Sequence, residues 1–521
     1  MKNNVRIFVT ILVLLGIVLT IFFGAELLEN YFKSKTEIES YEIHAKHLIA
    51  PLVFDILFLF VLILVIINYK QIKKTKFFSA RTEHLDKFLV WILSLCLIFI
   101  LIILFSNVVE KISVQNDTGD FRWDALFRFF LSVQHDFFII IRQSLSNPDF
   151  DYNKIDIPVF SLYVRQSKLD QLNSNLPYSG KEYVAGQFIY QNMTYDADVR
   201  YRGDNYYHWG SIKKSWRIKL DQKKLFNGVN KFNIVTPQYM DHYESVIISK
   251  FLKELNLMNP EIYPVAFFLN SKYMGVYYYI DQPDESFLRK FDYLPGDIFV
   301  GDKWEGNSTN WMTPEMHRRR LFDNVENWEI DVTADEDIKR AKEVRQVFFD
   351  SVTKSNNEEY YTFFKRHFEE EYLKFLALKT LIWDIHTDSR HNNRIYFDPS
   401  SGLFMPIPWN QHISYMPENT LDLAANDIDY RILFYPDLVN EKNKILFELI
   451  NKFPLSKAIE IVDRNTIEYE IRQDKYKSTS MWPIDRLITF NEWKDSIEFL
   501  KFKLRNNYEK VKQKLENAEV S

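Results

Sequence analysis

Three apolar segments near the start of the chain constrain its architecture more than any other feature of the sequence. Residues 7–24, 50–69 and 88–109 carry almost no charge, and each approaches the ~20 apolar residues that a helix needs to cross a membrane. Apolar runs of this length are unusual for the buried helices of globular proteins. The sequence therefore predicts that residues 1–110 form an anchor of three transmembrane helices, followed by a large globular domain.

The charges of the flanking loops predict the orientation of these helices, because Lys and Arg beside a transmembrane segment are retained on the cytoplasmic side. Lys2 and Arg6 precede the first segment, and the loop between the second and third segments is rich in lysine. The loop between the first two segments mixes lysines with acids and is expected to be external. Three crossings then place the globular domain outside the cytoplasm, in a multi-pass protein of the cell membrane.

A fourth segment, residues 121–145, alternates Phe and Ile with Arg128, His135 and Arg142. Ionisable groups spread along a helix make crossing costly, whereas an amphipathic helix lying in the interface keeps them solvated. We interpret residues 111–150 as an interfacial helix, with membrane lipid as its partner, and a linker. The alternative, a fourth transmembrane helix, would place the globular domain in the cytoplasm.

Charge and cysteine content exclude two classes of function. Lys and Arg number 65 against 70 for Asp and Glu, a formal net charge of -5, so no basic excess favours nucleic acid as a partner. The single cysteine, Cys96, lies inside an apolar segment. An intrachain disulfide framework and a cysteine zinc site are therefore excluded.

After residue 150 the sequence changes to short runs in which apolar and polar residues alternate, for example VFSLYVR, YVAGQFIY and SWRIKL. This period of two predicts antiparallel strands, with a helix at residues 241–257 and a hairpin at the turn NSKYMG. From about residue 330, apolar positions three and four apart indicate helices, and residues 491–516 form an amphipathic tail helix that we expect to cover them. The predicted class is α+β, sheet-rich over residues 151–300 and helix-rich over residues 301–521.

Residues 383–412 bring together the polar side chains most suited to chemistry. We expect a helix to end near Trp383, followed by a polar loop and two short strands around the turn DPSSG. His386, Asp388 and Asn393 have the spacing H-x-D-x-x-x-x-N of the protein-kinase catalytic loop. In that chemistry the Asp accepts the proton of the substrate hydroxyl and the Asn holds magnesium beside the phosphates. The second metal-binding acid is expected after the hairpin, where this chain has Asn410.

Three motifs make the chain resemble the CotH family, the spore-coat-protein-H-like atypical kinases, over roughly residues 155–440. They are YRGDNYYHWGSIKKSWRIKL at 201–220, FLNSKYMGVYYYIDQPDESFL at 268–288 and DSRHNNRIYFDPSSGLFMPIPWN at 388–410. The resemblance implies a bacterial, atypical protein-kinase-like domain of two lobes, a sheet-rich N-lobe and a helix-rich C-lobe. It also implies that ATP and Mg²⁺ or Mn²⁺ bind between the lobes.

The same resemblance implies roles for individual residues. Asp388 would be the catalytic base, and three asparagines would be metal ligands: Asn392, Asn393 and Asn410. Four positions would bind the nucleotide, three of them cations from the first motif: Arg202, Lys214, Lys219 and Asp281. Asp281 stands where the family usually has Glu.

The chain departs from the family where an acid normally follows the tryptophan and a second acid comes two positions later. Here Trp409 is followed by Asn410, Gln411 and His412. An amide oxygen can coordinate a hard cation but supplies no charge to hold it. Three functions therefore stay open: a Ser/Thr kinase of envelope or coat proteins, a catalytically degenerate scaffold with an assembly partner, and an accessory subunit of an envelope polymer or transport system.

Structural interpretations of the same residues also stay open. Asp388 could cap its own loop and pair with Arg390 or His391. The basic residues at 213–219 could form a solvated strand face. Asp384, His386 and Asp388 could instead belong to a zinc or manganese site, since imidazole and carboxylate ligands suit these metals.

Overall fold

The structure, a computed structural model, describes residues 151–174, 182–202, 208, 213–221, 223–237, 244–302, 320–332, 338–417, 420–464, 467–474, 478–481 and 484–519. All of them belong to one compact unit, Arg128–Ser521. The three predicted transmembrane segments and the predicted interfacial helix lie outside the described residues. Within the ranges given above, no helix is both long and apolar enough to span a membrane.

The strands, in chain order, are β1 (Val159–Tyr163), β2 (Val184–Tyr190), β3 (Met193–Tyr201), β4 (Trp216–Leu220), β5 (Lys231–Val235), β6 (Ile262–Leu269), β7 (Lys272–Asp281), β8 (Asp297–Gly301), β9 (Glu329–Val332), β10 (Asn393–Asp398), β11 (Leu403–Pro406), β12 (Ser478–Met481) and β13 (Ile484–Leu487). The α-helices are α1 (Gln166–Ser174), α2 (Glu244–Glu254), α3 (Glu285–Lys290), α4 (Ile338–Thr353), α5 (Asn357–His367), α6 (Glu369–Ile382), α7 (Asp427–Ile432), α8 (Pro436–Lys452), α9 (Leu455–Arg464), α10 (Glu468–Gln473) and α11 (Phe490–Glu519).

The first seven strands close into a barrel in the order β1-β2-β3-β4-β5-β7-β6. Neighbours are antiparallel except β1 and β6, which run parallel. Asn270 and Ser271, between β6 and β7, have φ values of 49° and 66°, the left-handed conformation that a two-residue hairpin turn needs to match the twist of its strands. The predicted hairpin at this turn is confirmed.

The barrel interior is filled by aromatic rings because the apolar residues alternate along each strand. On β4, Trp216, Ile218 and Leu220 are buried, while the residues between them face the other way. Inside, the rings of Phe188 and Phe226 are 5.1 Å apart and nearly perpendicular, an arrangement that aromatic pairs favour. The outer face of β3 and β4 is left for polar side chains.

A second sheet, in the order β11-β10-β8-β9, lies between the barrel and the helices. Its two faces belong to different cores, since successive residues of a strand point to opposite sides. On β10, Tyr396 joins the aromatic core of the barrel, and Ile395 joins a core formed with α4, α5 and α6. Arg394, two residues before Tyr396, is therefore on the barrel side.

Helix α6 is the centre of the helical part. Its Leu373 and Leu376 pack in the core beneath the second sheet, while Leu378 and Leu381 pack in a core shared with α2, α8, α9 and α11. The long tail helix α11 buries its apolar side in the same core, which confirms the prediction that the tail covers the helical part.

The α+β class is confirmed, and the predicted helix at 241–257 corresponds to α2 within its described residues. The predicted boundary at residue 300 falls inside β8, which pairs with β9 and β10 from the second half of the chain. Alternation identifies a strand but not its partner, so β8 could not be assigned to a sheet from sequence.

Candidate functional site

The predicted polar loop begins where α6 ends. Trp383 has a φ of 49°, a left-handed conformation that commonly terminates a helix. The buried carboxylate of Asp384 then accepts hydrogen bonds from the backbone N–H of His386 at 3.0 Å and from the Thr387 hydroxyl at 2.6 Å. These bonds fix the direction in which the loop leaves the helix.

Asp388 lies at the turn of this loop with about a third of its side chain exposed. Its Oδ1 accepts hydrogen bonds from the backbone N–H groups of Arg390 at 2.7 Å and His391 at 3.0 Å, and it lies 2.6 Å from Nδ1 of the His391 ring. The carboxylate therefore caps its own loop, as the structural interpretation expected. Its partial exposure keeps it accessible to a hydroxyl group.

Asn393 faces the interior of the loop. Its Nδ2 donates to the carbonyl oxygens of Asp388 at 2.7 Å and His391 at 2.8 Å, and its Oδ1 accepts from Asn426 Nδ2 at 3.1 Å. Asn392 has a φ of 60° and donates to the His386 carbonyl at 3.2 Å. Both amides hold the backbone of the loop in place.

A buried network beneath the loop connects it to two helices. Asn426 and Asp429 form a capping box at the start of α7. Asp429 in turn accepts a hydrogen bond from Lys379 of α6 at 2.5 Å, and Lys379 also donates to the carbonyl of Thr387 at 3.2 Å. Lys379 and Asp429 are fully buried. The backbone of the loop is therefore bonded to a buried ion pair.

The residues that replace the family's two acids both have protein partners. Asn410 has a φ of 55°, and its Nδ2 lies 3.2 Å from Nε2 of His386. His412 Nδ1 lies 3.0 Å from Glu244 of α2. Burial alone would lower the pKa of His412, but the hydrogen bond and charge of Glu244, with Asp384 nearby, outweigh it and raise the pKa.

These side chains do not fit magnesium. The three predicted ligands, Asn392, Asn393 and Asn410, are neutral, and Mg²⁺ in proteins is bound through carboxylates and phosphates. The oxygen of Asn393 already accepts a hydrogen bond from Asn426. Across the ranges that the structure describes, no group of three or more His, Cys, Asp or Glu side chains could hold a metal ion, so the alternative site at Asp384, His386 and Asp388 is not formed there.

The predicted nucleotide-binding residues are dispersed. Arg202 lies beside His208, with 3.3 Å between Nη1 and Nε2, and Lys214 Nζ is 5.6 Å from the ring centre of Tyr201. Burial lowers the pKa of Lys214. Lys219 is exposed on the outer face of β4. The structure does not test whether these residues bind nucleotide, and their roles stay predictions.

Asp281 is part of a separate polar group at the end of β7. Its fully buried carboxylate accepts hydrogen bonds from the Tyr279 hydroxyl at 2.5 Å, the Glu261 N–H at 3.0 Å and Lys290 Nζ at 2.9 Å. Burial raises its pKa even though Lys290 opposes the shift. Its cofactor role also stays a prediction.

The structural interpretation of residues 213–219 as a solvated strand face is wrong for Lys213. This side chain is fully buried, and its Nζ lies 2.8 Å both from Asp474 and from the carbonyl of Val276. Gly275 leaves room for this pair, because a Cβ there would meet the Asp474 carboxylate at 2.3 Å. Lys213 therefore connects the middle of the first motif to Asp474, at the end of α10.

The sequence analysis assigned no functional role to Arg200, Arg394 or the Trp409 side chain. The guanidinium of Arg394 lies over the Trp409 ring, 4.4 Å from its centre, and that of Arg202 is 5.7 Å from the same ring. Arg217 was treated only as part of a strand face. The alternation of apolar and polar residues on β3 and β4 could have indicated that Arg200 and Arg217 face away from the barrel interior.

A closed barrel, a four-stranded sheet and a helical part with a polar loop after a buried helix define a protein of mixed helices and sheets, of the α+β class. Residues 199–510 match the family described as CotH kinase protein. This match covers more than half of the chain, and the chain belongs to the CotH family.

Two individual proteins are similar to parts of the chain. The inner spore coat protein H of Bacillus subtilis (strain 168) is 24% identical over 265 residues, which are 50% of this chain and 69% of that protein. A Shewanella oneidensis MR-1 toxin–antitoxin complex of HipA, HipB and operator DNA contains a chain that aligns with 70% of this one and 74% of its own length. Its identity is 12% and the TM-score 0.24, which is too low to support an argument about fold or function.

Proposed function

We propose that this CotH-family protein is a membrane-anchored scaffold for the assembly of the cell envelope or a coat, with a kinase-like domain that does not transfer phosphoryl groups. The name of the similar Bacillus protein supports the association with a coat. Family membership supports a two-lobed arrangement, in which the barrel is the N-lobe and the helical part the C-lobe. The apolar segments of the first 110 residues support the anchor and the extracytoplasmic position.

One observation supports the part of this proposal that says the domain does not transfer phosphoryl groups. Asn410 and His412, at the positions of the family's acids, are engaged with His386 and Glu244. Glu244 is buried and also bonded to Lys503 at 2.6 Å, so His412 lies in a network that carries both charges. Neutral and cationic groups at these positions give a divalent ion no charge to bind.

A second candidate function is a Ser/Thr protein kinase that uses ATP, and the placement of Asp388 favours it. The carboxylate is partly exposed, held by two backbone N–H groups and next to His391. A carboxylate in this state can orient a substrate hydroxyl and accept its proton. What ATP would supply is the transferable phosphoryl group.

A transfer assay separates the two functions. The detergent-purified full-length protein is incubated with labelled ATP and either Mg²⁺ or Mn²⁺, alongside Asp388→Asn. The scaffold predicts that label incorporation into the protein or generic substrates is the same in both. Robust transfer by the wild type that Asp388→Asn abolishes would establish the kinase instead.

Complementation tests the scaffold role itself. In a strain of the source organism that lacks this chain, genes for the wild type and for Asp388→Asn are introduced and envelope or coat assembly is scored. The scaffold predicts equal rescue by both genes. Rescue by the wild type alone would contradict it.

A further inference from the structure

Residues 151–156, which we call the entry segment, lead from the predicted linker into the domain and are bonded firmly to it. The backbone N–H of Asp151 donates to the Tyr469 hydroxyl at 2.7 Å, and that hydroxyl donates to the Asp151 carbonyl at 3.0 Å. The N–H of Asp156 donates to the buried carboxylate of Glu470 at 2.7 Å. Both partners belong to α10, so the entry segment has a fixed position on the domain.

The entry segment places an aromatic ring at one end of the barrel. The Tyr152 ring stacks on Phe268 of β6, with 5.4 Å between the ring centres, and 60% of Tyr152 stays exposed. Tyr163, at the end of β1, is 40% exposed. Its hydroxyl lies 2.7 Å from Oγ of Ser271, in the turn between β6 and β7. Two exposed tyrosines therefore share the end of the barrel that carries this turn.

Two cations lie at the same end. Asn270 of the turn is hydrogen-bonded at 2.9 Å to both the N–H and the carbonyl of Val164, which places the next residue, Arg165, beside the turn. Lys272 follows the turn as the first residue of β7. Arg165 and Lys272 are both exposed. We call these two cations, with the two exposed tyrosines, the entry face.

Acids near the entry face moderate its charge. Asp151 lies 3.9 Å from Lys154 and forms a pair with it. Asp156 is exposed, and on α1 the charges of Lys168 and Asp170 are opposite. The entry face is therefore aromatic and modestly positive, unlike the strongly basic patches that bind nucleic acid.

The predicted interfacial helix brings this end of the barrel close to lipid. The sequence predicts that residues 121–145 lie in the membrane interface, and only the five residues 146–150 connect them to the entry segment. Five residues span at most about 18 Å when fully extended. Because the entry segment is bonded to α10 and stacked on β6, this short connection restrains the end of the barrel as well as the chain itself.

We propose that the entry face rests on the phospholipid surface of the membrane. Tyrosine is enriched at membrane–water interfaces, where its ring is among apolar groups and its hydroxyl is hydrated. Arg and Lys beside it are attracted to the phosphates of the headgroups. The domain is then held in one orientation on the membrane. The inference deepens the membrane-anchored scaffold of the proposed function and rests on it.

Fluorescence quenching in lipid nanodiscs tests this inference on the full-length protein. In a Cys96→Ser background, a fluorophore is attached to Ser271→Cys, in the turn between β6 and β7. The discs contain phosphatidylcholine and phosphatidylglycerol, and some lipids carry a quencher on the headgroup. The matched position is Val347→Cys, exposed on α4, which packs on the other face of the second sheet. We expect quenching of the label at residue 271 and none at residue 347.

A double variant and a matched control test the two cations. Arg165→Gln combined with Lys272→Gln should weaken the attraction of the entry face to anionic lipid about fivefold for each cation removed, and the label at residue 271 should become brighter. Arg289→Gln combined with Arg464→Gln removes two cations from exposed helical ion pairs and should leave the quenching unchanged. Circular dichroism confirms that each variant is folded.

Three results would overturn the inference: equal quenching at the two label positions, no quenching at residue 271, or equal quenching in the double variant and its control. Shielding of the residue-271 label from aqueous iodide without quenching by lipid would also overturn it, because protein, such as a second copy of the chain, would then cover this face.

Entry of the protein into the discs is scored separately by copurification. A protein that does not enter the discs lacks the anchor, so the proposed function fails together with this inference. A protein that enters the discs without selective quenching at residue 271 refutes this inference alone. The two failures are therefore distinguishable.

Discussion

The buried lysines and the arginine cluster, which we define as Arg200, Arg217 and Arg394, differ in how their positive charges are balanced. Lys213, Lys379 and Lys503 each have a carboxylate within 2.8 Å, on Asp474, Asp429 and Glu244 respectively. In the arginine cluster, Arg200 and Arg217 are direct partners on neighbouring strands, the charges of Arg200 and Arg394 lower the pKa of Arg217, and Arg394 meets Asp331 only at 3.6 Å.

This difference separates charges that are paired with carboxylates inside the fold from charges that lie beside other positive charges. Removing one partner of a buried pair leaves the other uncompensated, which is strongly destabilising. Removing one member of a group with excess positive charge relieves repulsion as well as losing contacts. Unfolding experiments on single variants therefore test whether the lysines and the arginines differ in this way.

The largest effect is expected for Lys379→Met, which leaves the buried carboxylate of Asp429 without its cation. The free energy of unfolding should fall by about 3–5 kcal/mol, measured by urea denaturation. Glu285→Gln, in the exposed pair with Arg289, is the control and should change it by less than about 1 kcal/mol. Similar values for the two variants would contradict a structural role for the lysine pair.

The second largest loss of stability is expected from a substitution that fills the space beside Asp474. Gly275→Ala places a Cβ 2.3 Å from that carboxylate and is strained at a φ of +104°, so we expect a loss of about 3 kcal/mol. Gly402→Ala also has a positive φ, +73°, but meets nothing within 4 Å, and about 1 kcal/mol is expected. Thermal unfolding of the Gly275→Ala and Gly402→Ala variants measures the two losses of stability. Equal losses would show that the Lys213–Asp474 pair tolerates displacement.

Lys442 provides a pH test, because burial lowers its pKa to about 8 while Asp422 and Asp429 oppose the shift. The folded state releases this proton before the unfolded state does, so stability from this group rises as pH increases from about 8 towards the unfolded value near 10.4. The free energy of unfolding of the wild type, measured by urea denaturation relative to that of Lys442→Met, should increase by about 2 kcal/mol between pH 7 and pH 10. A difference that is constant with pH would contradict this assignment.

The smallest effect is expected for Arg394→Met. Loss of the contact with Trp409 is offset by relief of repulsion within the cluster, so the free energy of unfolding should change by less than about 1 kcal/mol. Added salt should stabilise the wild type more than the variant, because salt screens the repulsion. A loss as large as that of Lys379→Met would mean that the cluster is structural.

Much of this arrangement follows from sequence patterns. Alternation predicted the barrel strands and the hairpin at Asn270, and the H-x-D-x-x-x-x-N spacing located the loop in which Asp388 and Asn393 are hydrogen-bonded. The motifs also led to the CotH family, which the match over residues 199–510 confirms. These features depend on residues close together in the chain.

Contacts between side chains that are far apart in the chain could not be predicted from these sequence patterns. Lys213 meets Asp474, and His412 meets Glu244, across more than 160 positions of sequence. A strand pattern shows that Arg217 faces away from the barrel core, but not that Arg394 lies in the same region. The paired lysines and the arginine cluster therefore emerged only from the three-dimensional structure.

The difference between the two groups of charges is measured most directly by urea denaturation of Lys379→Met and Arg394→Met side by side. We expect the free energy of unfolding to fall by about 3–5 kcal/mol for Lys379→Met, because Asp429 is left buried without its cation, and to change by less than about 1 kcal/mol for Arg394→Met. Equal losses in the two variants would contradict this difference.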